Sequence, residues 1–326
     1  MHRSPAGRPA RWHRLATTAL AAISLLAVGS ITACGDDSAS GDNDGTLRIG
    51  FQRFGGLSLV KARQLAPDAQ WSLFESGTAV TEALKAGAID IGQTGEAPPI
   101  FAAAGRVPFS IIGTSEPLPQ GEAVLVKESS GFTSFADLRG KKVALNKGSN
   151  VHWLLVRLLE QHNMTMDDLE ISYLKPTEGR PAFDNDQVDA WIIWDPYFAL
   201  AEREGVKVLA DATGLANNRE YVLAHPDALK TKADLIRDFL VTYDEVTDWG
   251  IANPQERASI LAPELKMPEE TTARALDRAA KPLAPVTPEV GDEIQAIADS
   301  FAGLGLIPGE VDIRGRVDGR FNEIFE

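Results

Sequence analysis

Three short stretches set small hydrogen-bond donors where an apolar run gives way to a helical pattern. They are Ser76-Gly77-Thr78, Thr94-Gly95-Glu96 and Gly148-Ser149-Asn150. The first amides of a helix have no intrahelical partner, so a strand–turn–helix junction built from small residues aims bare N–H groups at whatever lies beyond the strand. Hydroxyls and an amide beside them add donors for a ligand that offers only acceptor oxygens. Taken singly, each stretch is an ordinary Ser, Thr or Asn cap. Three of them at strand ends describe a converging set, each helix end worth roughly 0.3–1 kcal/mol to an anion when exposed and up to ~2 when partly buried.

Catalytic constellations are not apparent. Beyond residue 33 the chain holds only His152, His162 and His225, none in a metal-binding spacing, and it has no G-x-S-x-G elbow, phosphate-binding P-loop or C-x-x-C pair. An enzyme would need a base and a nucleophile facing each other, and His152 beside Ser149 and Asn150 is the only hint of one. At helix spacing, capping or packing is the simpler role for that histidine, so no enzyme, no cofactor and no metal is expected.

The elements that must position these residues alternate. Strand patterns at 47–52, 71–76, 89–95 and 109–115 are separated by helical runs, and a second set follows: "KKVALNKG", a helix over 150–162, "LEISYLK", a helix through Phe183, "VDAWIIWD", a helix through Glu204 and "VKVLADA". This alternation predicts an α/β fold with largely parallel sheets. Residues 230–303 read as almost entirely helical, punctuated by Pro254, Pro263, Pro268 and Pro288. Two α/β sets suggest a cleft between them, at the carboxyl ends of the strands. Strand alternation puts Trp191 and Trp194 on opposite sides, so at most one faces that cleft.

The N-terminus reads as an address. Arg3, Arg8, Arg11 and Arg14 precede an apolar stretch, and Ile31-Thr32-Ala33 precedes Cys34, the single cysteine of the 326-residue chain. Residues 1–33 are expected to be a secretory signal, with Cys34 in what looks like a bacterial lipobox, its thiol taking a diacylglycerol that anchors without spanning. Residues 34–45 would form a flexible tether. The formal charge of −14 becomes −18 once the four arginines of the signal are gone. That surface argues against nucleic-acid binding, which rests on neutralising phosphates, but a small anion in a cleft is shielded from distant charges.

"IGFQRFG" (49–55), "ALKAGAIDIGQTGEAPPIFA" (83–102), "TSEP" (114–117), "GEAVLV" (121–126), "LRGKKVALNKGSNVHWLLVR" (138–157) and "VDAWIIWDPY" (188–197) together resemble the aliphatic sulfonate-binding proteins, the solute receptors of ABC importers. The resemblance runs from about Leu47 to His225, with almost every motif in order. It implies a two-lobed periplasmic-binding-protein fold (type II): a first lobe over 46–117, a second over 118–225, and a mostly helical return to the first over 226–326. It also implies a monomer that binds an alkanesulfonate between the lobes and hands it to a permease, with its separate ATPase, for sulfur acquisition. Carried over by motif, the ligand-binding candidates are Gln52, Thr94, Gly95, Ser149, Asn150 and Trp194, with Ser76, Gly77 and Ser115 as weaker additions. A sulfonate is a monoanion that needs donors rather than a counter-ion, as the three turns provide.

Two departures from the family pattern bear on specificity. The 59–71 stretch is shorter, which abbreviates the first helix, and Glu178, Gly179 and Pro181 alter a segment expected to border the cleft and to tilt its helix. Related receptors take taurine, nitrate or a thiamine-precursor pyrimidine. Taurine would want a carboxylate such as Glu116 in the cleft, and a pyrimidine would want aromatic sandwiching. A surface lipoprotein enzyme is the remaining alternative.

Overall fold

The computed structural model describes residues 45–326; the signal, Cys34 and tether expectations lie outside them. The first set runs β1 (Arg48–Gln52), α1 (Gly56–Ala62), β2 (Gln70–Phe74), α2 (Gly77–Lys85), β3 (Ile91–Gly95), α3 (Pro98–Ala104) and β4 (Ser110–Ser115). The second runs β5 (Glu122–Lys127), β6 (Lys142–Leu145), α4 (Asn150–Gln161), β7 (Glu170–Tyr173), α5 (Pro176–Asp184), β8 (Ala190–Trp194), α6 (Tyr197–Ala201) and β9 (Val206–Asp211). Then come β10 (Glu220–Ala224), α7 (Pro226–Thr231), α8 (Ala233–Ala252), α9 (Pro254–Leu265), α10 (Glu269–Arg278), β11 (Leu283–Ala284) and α11 (Pro288–Gly303).

These strands build two sheets, ordered β11-β4-β10-β3-β1-β2 and β7-β6-β8-β5-β9. Both are mixed rather than largely parallel. In the first, β1 pairs parallel with β2 and β3, while β10 runs antiparallel between β3 and β4. In the second, β6 pairs parallel with β7 and β8, and β5 runs antiparallel to β8 and β9. Strands β5 and β10, each entered from the opposite sheet, run against their neighbours, and β11 is likewise antiparallel to β4.

The return to the first sheet comes earlier than the expected boundary at 225. Glu220–Ala224 pairs with both Gly95–Ile91 and Thr114–Ser110, since its run of buried apolar residues fills the gap between two strands that have no other common neighbour. The crossings between the sheets are therefore the segments 116–121 and 212–219. Strands β5 and β8 are buried on both faces, as expected for near-continuous apolar runs with helices on either side.

The first helix is indeed short, seven residues ending at Ala62. The altered 176–184 segment nevertheless keeps a nine-residue helix with Pro181 inside it. Gly179 lets this helix lie against the second sheet: a Cβ there would stand 2.6 Å from the indole nitrogen of Trp191. Pro254 and Pro288 open helices and Pro268 caps one, whereas Pro263 falls inside α9. The first sheet is pinned to the helical region by a buried cluster. Arg48 bonds both oxygens of Asp90, and Lys232 reaches the same carboxylate at 2.9 Å. Burial alone would raise the Asp90 pKa, but these bonds outweigh it and hold it below the usual carboxylate range.

Candidate functional site

A cavity with about 800 Å³ of space, part of it open at the mouth, lies where the carboxyl ends of β1, β3 and β8 meet the starts of α2 and α4. The first sheet contributes Gln52, Gly77 and Gly95, the second Ser149, Asn150 and Trp194, so six of the nine candidate residues meet there. Trp194 is the partly open tryptophan, set edge-on to Tyr197 at 6.1 Å, while Trp191 is buried against Phe183.

Three candidates turn away. Thr94 is fully buried and its hydroxyl donates to the Gly95 carbonyl at 3.0 Å. Ser76 exchanges a 2.8 Å bond with Thr78 and is not on the cavity wall. Ser115 donates to the Glu116 carbonyl and accepts from the Glu220 amide, bracing the crossing between the sheets. Thr94 and Ser115 give their hydroxyls to neighbouring carbonyls and Ser76 shares its own with Thr78, local bonds that Ser and Thr make readily.

What the cavity receives is backbone. The Ser149 hydroxyl donates to the Asn146 carbonyl at 2.7 Å and leaves the first turn of α4 uncapped. The amides of Asn150 and Val151 have no partner among the described residues. The same holds for Gly77 and Thr78 at the start of α2, whose cap Ser76 makes no capping bond. Gly77 and Asn150 lie on the cavity wall, so two uncapped helix starts, one from each sheet, converge on one space.

The Asn150 side chain joins the halves. Its Oδ1 accepts from the Ala97 amide at 3.4 Å, and its Nδ2 donates to Asn218 Oδ1 at 2.5 Å; Asn218 in turn donates to the Leu118 carbonyl. Gly95 must be glycine for this approach, since a Cβ would stand 2.1 Å from Asn150 Oδ1. Elsewhere Glu75 of the first half accepts from the Thr177 amide and hydroxyl of the second, at 3.1 and 2.6 Å.

Charged residues on the wall escaped the sequence reading. Arg278, at the end of α10, donates to both oxygens of buried Asp195 (2.7 and 2.9 Å), bonds Glu202, and lies 3.9 Å over the Phe198 ring. Burial pushes the Asp195 carboxyl up to about 6 against the pull of Arg278. Glu220 is pushed to about 7 by desolvation, with Gln93 bonded to it. Asp195 and Tyr197 fall within the "WDPY" motif, but nothing in the helical run around Arg278 marks it as a wall residue. Glu116 is not on the wall.

His152 does not reach the cavity. It is fully buried, accepts from the Gly148 amide at Nδ1 and stacks on Phe101. Burial first, and then Lys147, lowers its pKa to about 4, so the ring is neutral and its Nε2 has no partner. It packs beneath the α4 turn and has no access to a ligand in the cleft.

Comparison with known proteins agrees with this geometry. The family model described as NMT1/THI5 like matches residues 73–257. An aliphatic sulfonates-binding protein of Escherichia coli (strain K12) is 36% identical over 313 residues, covering 93% of this chain and 95% of that one. The crystal structure of the periplasmic aliphatic sulphonate binding protein from Escherichia coli superposes with a TM-score of 0.76 at 37% identity, covering 83% of this chain and 96% of the other. The alkanesulfonate-binding protein from Xanthomonas axonopodis pv. citri, solved bound to MOPS, gives a TM-score of 0.80 at 31% identity over 84% and 98%.

Proposed function

The chain belongs to the NMT1/THI5-like family and, within it, to the aliphatic sulfonate-binding proteins, and from that premise we propose that it is the solute-binding component of an ABC importer for alkanesulfonates. One observation carries the reading to this molecule's own residues: the uncapped starts of α2 and α4 face one cavity from opposite sheets. The sulfonate oxygens accept from the amides of Gly77, Thr78, Asn150 and Val151, with Gln52 and Gly95 beside them. Trp194, Phe54 and Tyr197 give the alkyl tail an apolar wall. Ligand binding favours the arrangement in which the two halves touch, through its greater affinity for that state, and that arrangement docks on the permease. The ATPase supplies the energy for transport, and this chain performs no chemistry.

We assign the first lobe to residues 46–117 with the return from 220, and the second lobe to the segment between. Cys34 carries the lipid that holds a monomeric receptor at the outer face of the cell membrane. Replacing Cys34→Ser is expected to release the protein from the membrane fraction; retention there would refute the anchor. A taurine receptor is the second reading, favoured by Glu75 on the wall, where an ammonium could reach a carboxylate. The Trp194–Tyr197 pair is edge-on rather than parallel, which speaks against a pyrimidine sandwich. The test is calorimetry on residues 35–326, unfolded and refolded to strip carried-over ligand, against ethanesulfonate, longer alkanesulfonates, taurine, nitrate and sulfate. Micromolar or tighter binding of alkanesulfonates supports the proposal, and a response to taurine or nitrate alone replaces it.

A further inference from the structure

Beside the cleft lies a second cavity with about 500 Å³ of space, part of it open to solvent, and Leu118, Glu220 and Ala279 line both. Its far wall comes from α8, α9 and α10 and includes Tyr243, Thr247 and Arg257. Arg257 is only 6% exposed. Its Nη2 donates to the Leu276 carbonyl at 2.5 Å, its Nε has no partner, and no carboxylate lies within ion-pair distance among the described residues. A guanidinium stays charged at any working pH; Asp277 attracts it without forming an ion pair, and a buried donor left unbonded is costly. The Tyr243 hydroxyl, on the same wall and equally buried, also has no hydrogen-bond partner among the described residues.

Glycines make the room that both side chains occupy. A Cβ at Gly56 would stand 2.4 Å from the Tyr243 ring, and one at Gly250 would stand 2.8 Å from Arg257 Cδ. Two fixed, unsatisfied donors, one of them cationic, call for an acceptor-rich anion. Glu220 on the shared wall gives one carboxyl oxygen to Gln93 and makes no bond to either donor, although its charge is felt at Tyr243. Leu118 and Ala279 line both cavities and give the shared wall an apolar side, beside the Glu220 carboxyl.

We propose that this second cavity is a carboxylate subsite, so that the molecule is built for sulfonates carrying a carboxylate at the far end of a short chain. The sulfonate stays at the α2 and α4 turns, its chain passes Leu118 and Ala279, and the carboxylate accepts from Arg257 and Tyr243. The inference rests on the sulfonate reading of the outer cleft. A small free carboxylate bound beside a plain alkanesulfonate would present the same chemistry, and the test separates the two sources.

Calorimetry on the refolded chain compares ethane-, propane- and butanesulfonate with sulfoacetate, 3-sulfopropanoate and 4-sulfobutanoate. At least one carboxylated ligand is expected to bind tenfold or more tightly than its plain counterpart. That ratio collapses to within threefold in Arg257→Met and shrinks in Tyr243→Phe, which removes only the hydroxyl and keeps the claim testable should Arg257→Met not fold. Alternatively, acetate in the cell tightens propanesulfonate binding to the parent chain and has no effect on the variants, which assigns the subsite to a free anion. No preference at any chain length together with no acetate effect overturns the subsite, as does a preference that survives both variants. Silence towards propanesulfonate and every carboxylated ligand is a different result: it removes the sulfonate reading itself.

Discussion

Gly95→Ala tests the contact by which the two halves meet. The added methyl carbon would stand 2.1 and 2.2 Å from the amide oxygen and nitrogen of Asn150. A normal non-bonded approach needs about 3.5 Å, so something must yield by more than an ångström. Asn150 has little room to retreat, since its amide bonds Ala97 on one side and Asn218 on the other, and Asn218 is tied to Leu118. Breaking both Asn150 bonds costs about 1 kcal/mol each, and overpacking adds about 1–3. The closed arrangement therefore loses roughly 3–5 kcal/mol, or about 150- to 5000-fold in affinity. Gly95 ends a strand of the first sheet and Asn150 opens a helix of the second. Moving the halves apart relieves the clash, so the loss falls on ligand binding far more than on unfolding. Calorimetry and thermal melting of ligand-free protein measure the two separately. Adding Asn150→Ala should restore room, and the double mutant should show a coupling of at least about 1 kcal/mol. An affinity within threefold of the parent would refute the argument. So would a matching loss of ligand-free stability, because the contact would then belong to the fold and not to closure.

Stability should fall as pH rises through neutrality. Burial raises Glu96 to about 7 and holds Glu122, whose two oxygens have no partner, well above its ordinary value. Both are protonated in the folded chain and ionised in the unfolded one between about pH 4.5 and 7, so Glu96 alone removes on the order of 3 kcal/mol over that interval. Melting temperatures from pH 5 to 8.5 should decline, and Glu96→Gln with Glu122→Gln should flatten the slope; a parent curve that rises to pH 8 contradicts this. Arg278→Ala strands the buried Asp195 carboxylate and should cost about 3–5 kcal/mol in urea unfolding, whereas a change under 1 kcal/mol would mean the pair is not formed in solution. His152→Gln should leave alkanesulfonate affinity within threefold and produce no turnover of ligand over hours; a large loss of affinity would bring the histidine back to the site.

Much of the architecture was legible because it depends on short-range signals. The junction at Gly148-Ser149-Asn150 is a strand end, a small-residue turn and an amphipathic run, and the α4 helix opens at Asn150 as that pattern requires. The resemblance named Gln52, Gly95 and Trp194, and all three lie on the cavity wall. What stayed hidden is non-local. Whether Glu220–Ala224 joins one sheet or the other depends on which gap it fills, and an apolar run reads alike in both. Thr94 and Ser115 have the chemistry of ligand donors, but their hydroxyls are taken by carbonyls next to them in sequence. Arg278 reaches the cavity only through helix packing, 83 residues beyond the Asp195 it pairs with.

The wall carries Glu75, Asp195 and Glu220 against Arg53 and Arg278, which at first sight opposes an anion. The opposition weakens residue by residue. Asp195 is matched by the bidentate Arg278, Glu220 has its carboxyl raised to about 7, and one oxygen of Glu75 accepts from Thr177. What remains facing the space is Arg53 and a set of amide dipoles, which attract an anion without a mobile counter-ion. Such a site rewards the number and direction of acceptor oxygens, and the carboxyls around it penalise a second negative charge. A sulfonate, with three acceptor oxygens and one negative charge, uses donors from both helix starts at once. A dianion would bring a second charge close to three carboxyls for no additional amide. Sulfate is therefore the informative competitor: it has the same oxygen geometry, and its binding at least tenfold more weakly than ethanesulfonate is what this charge arrangement requires.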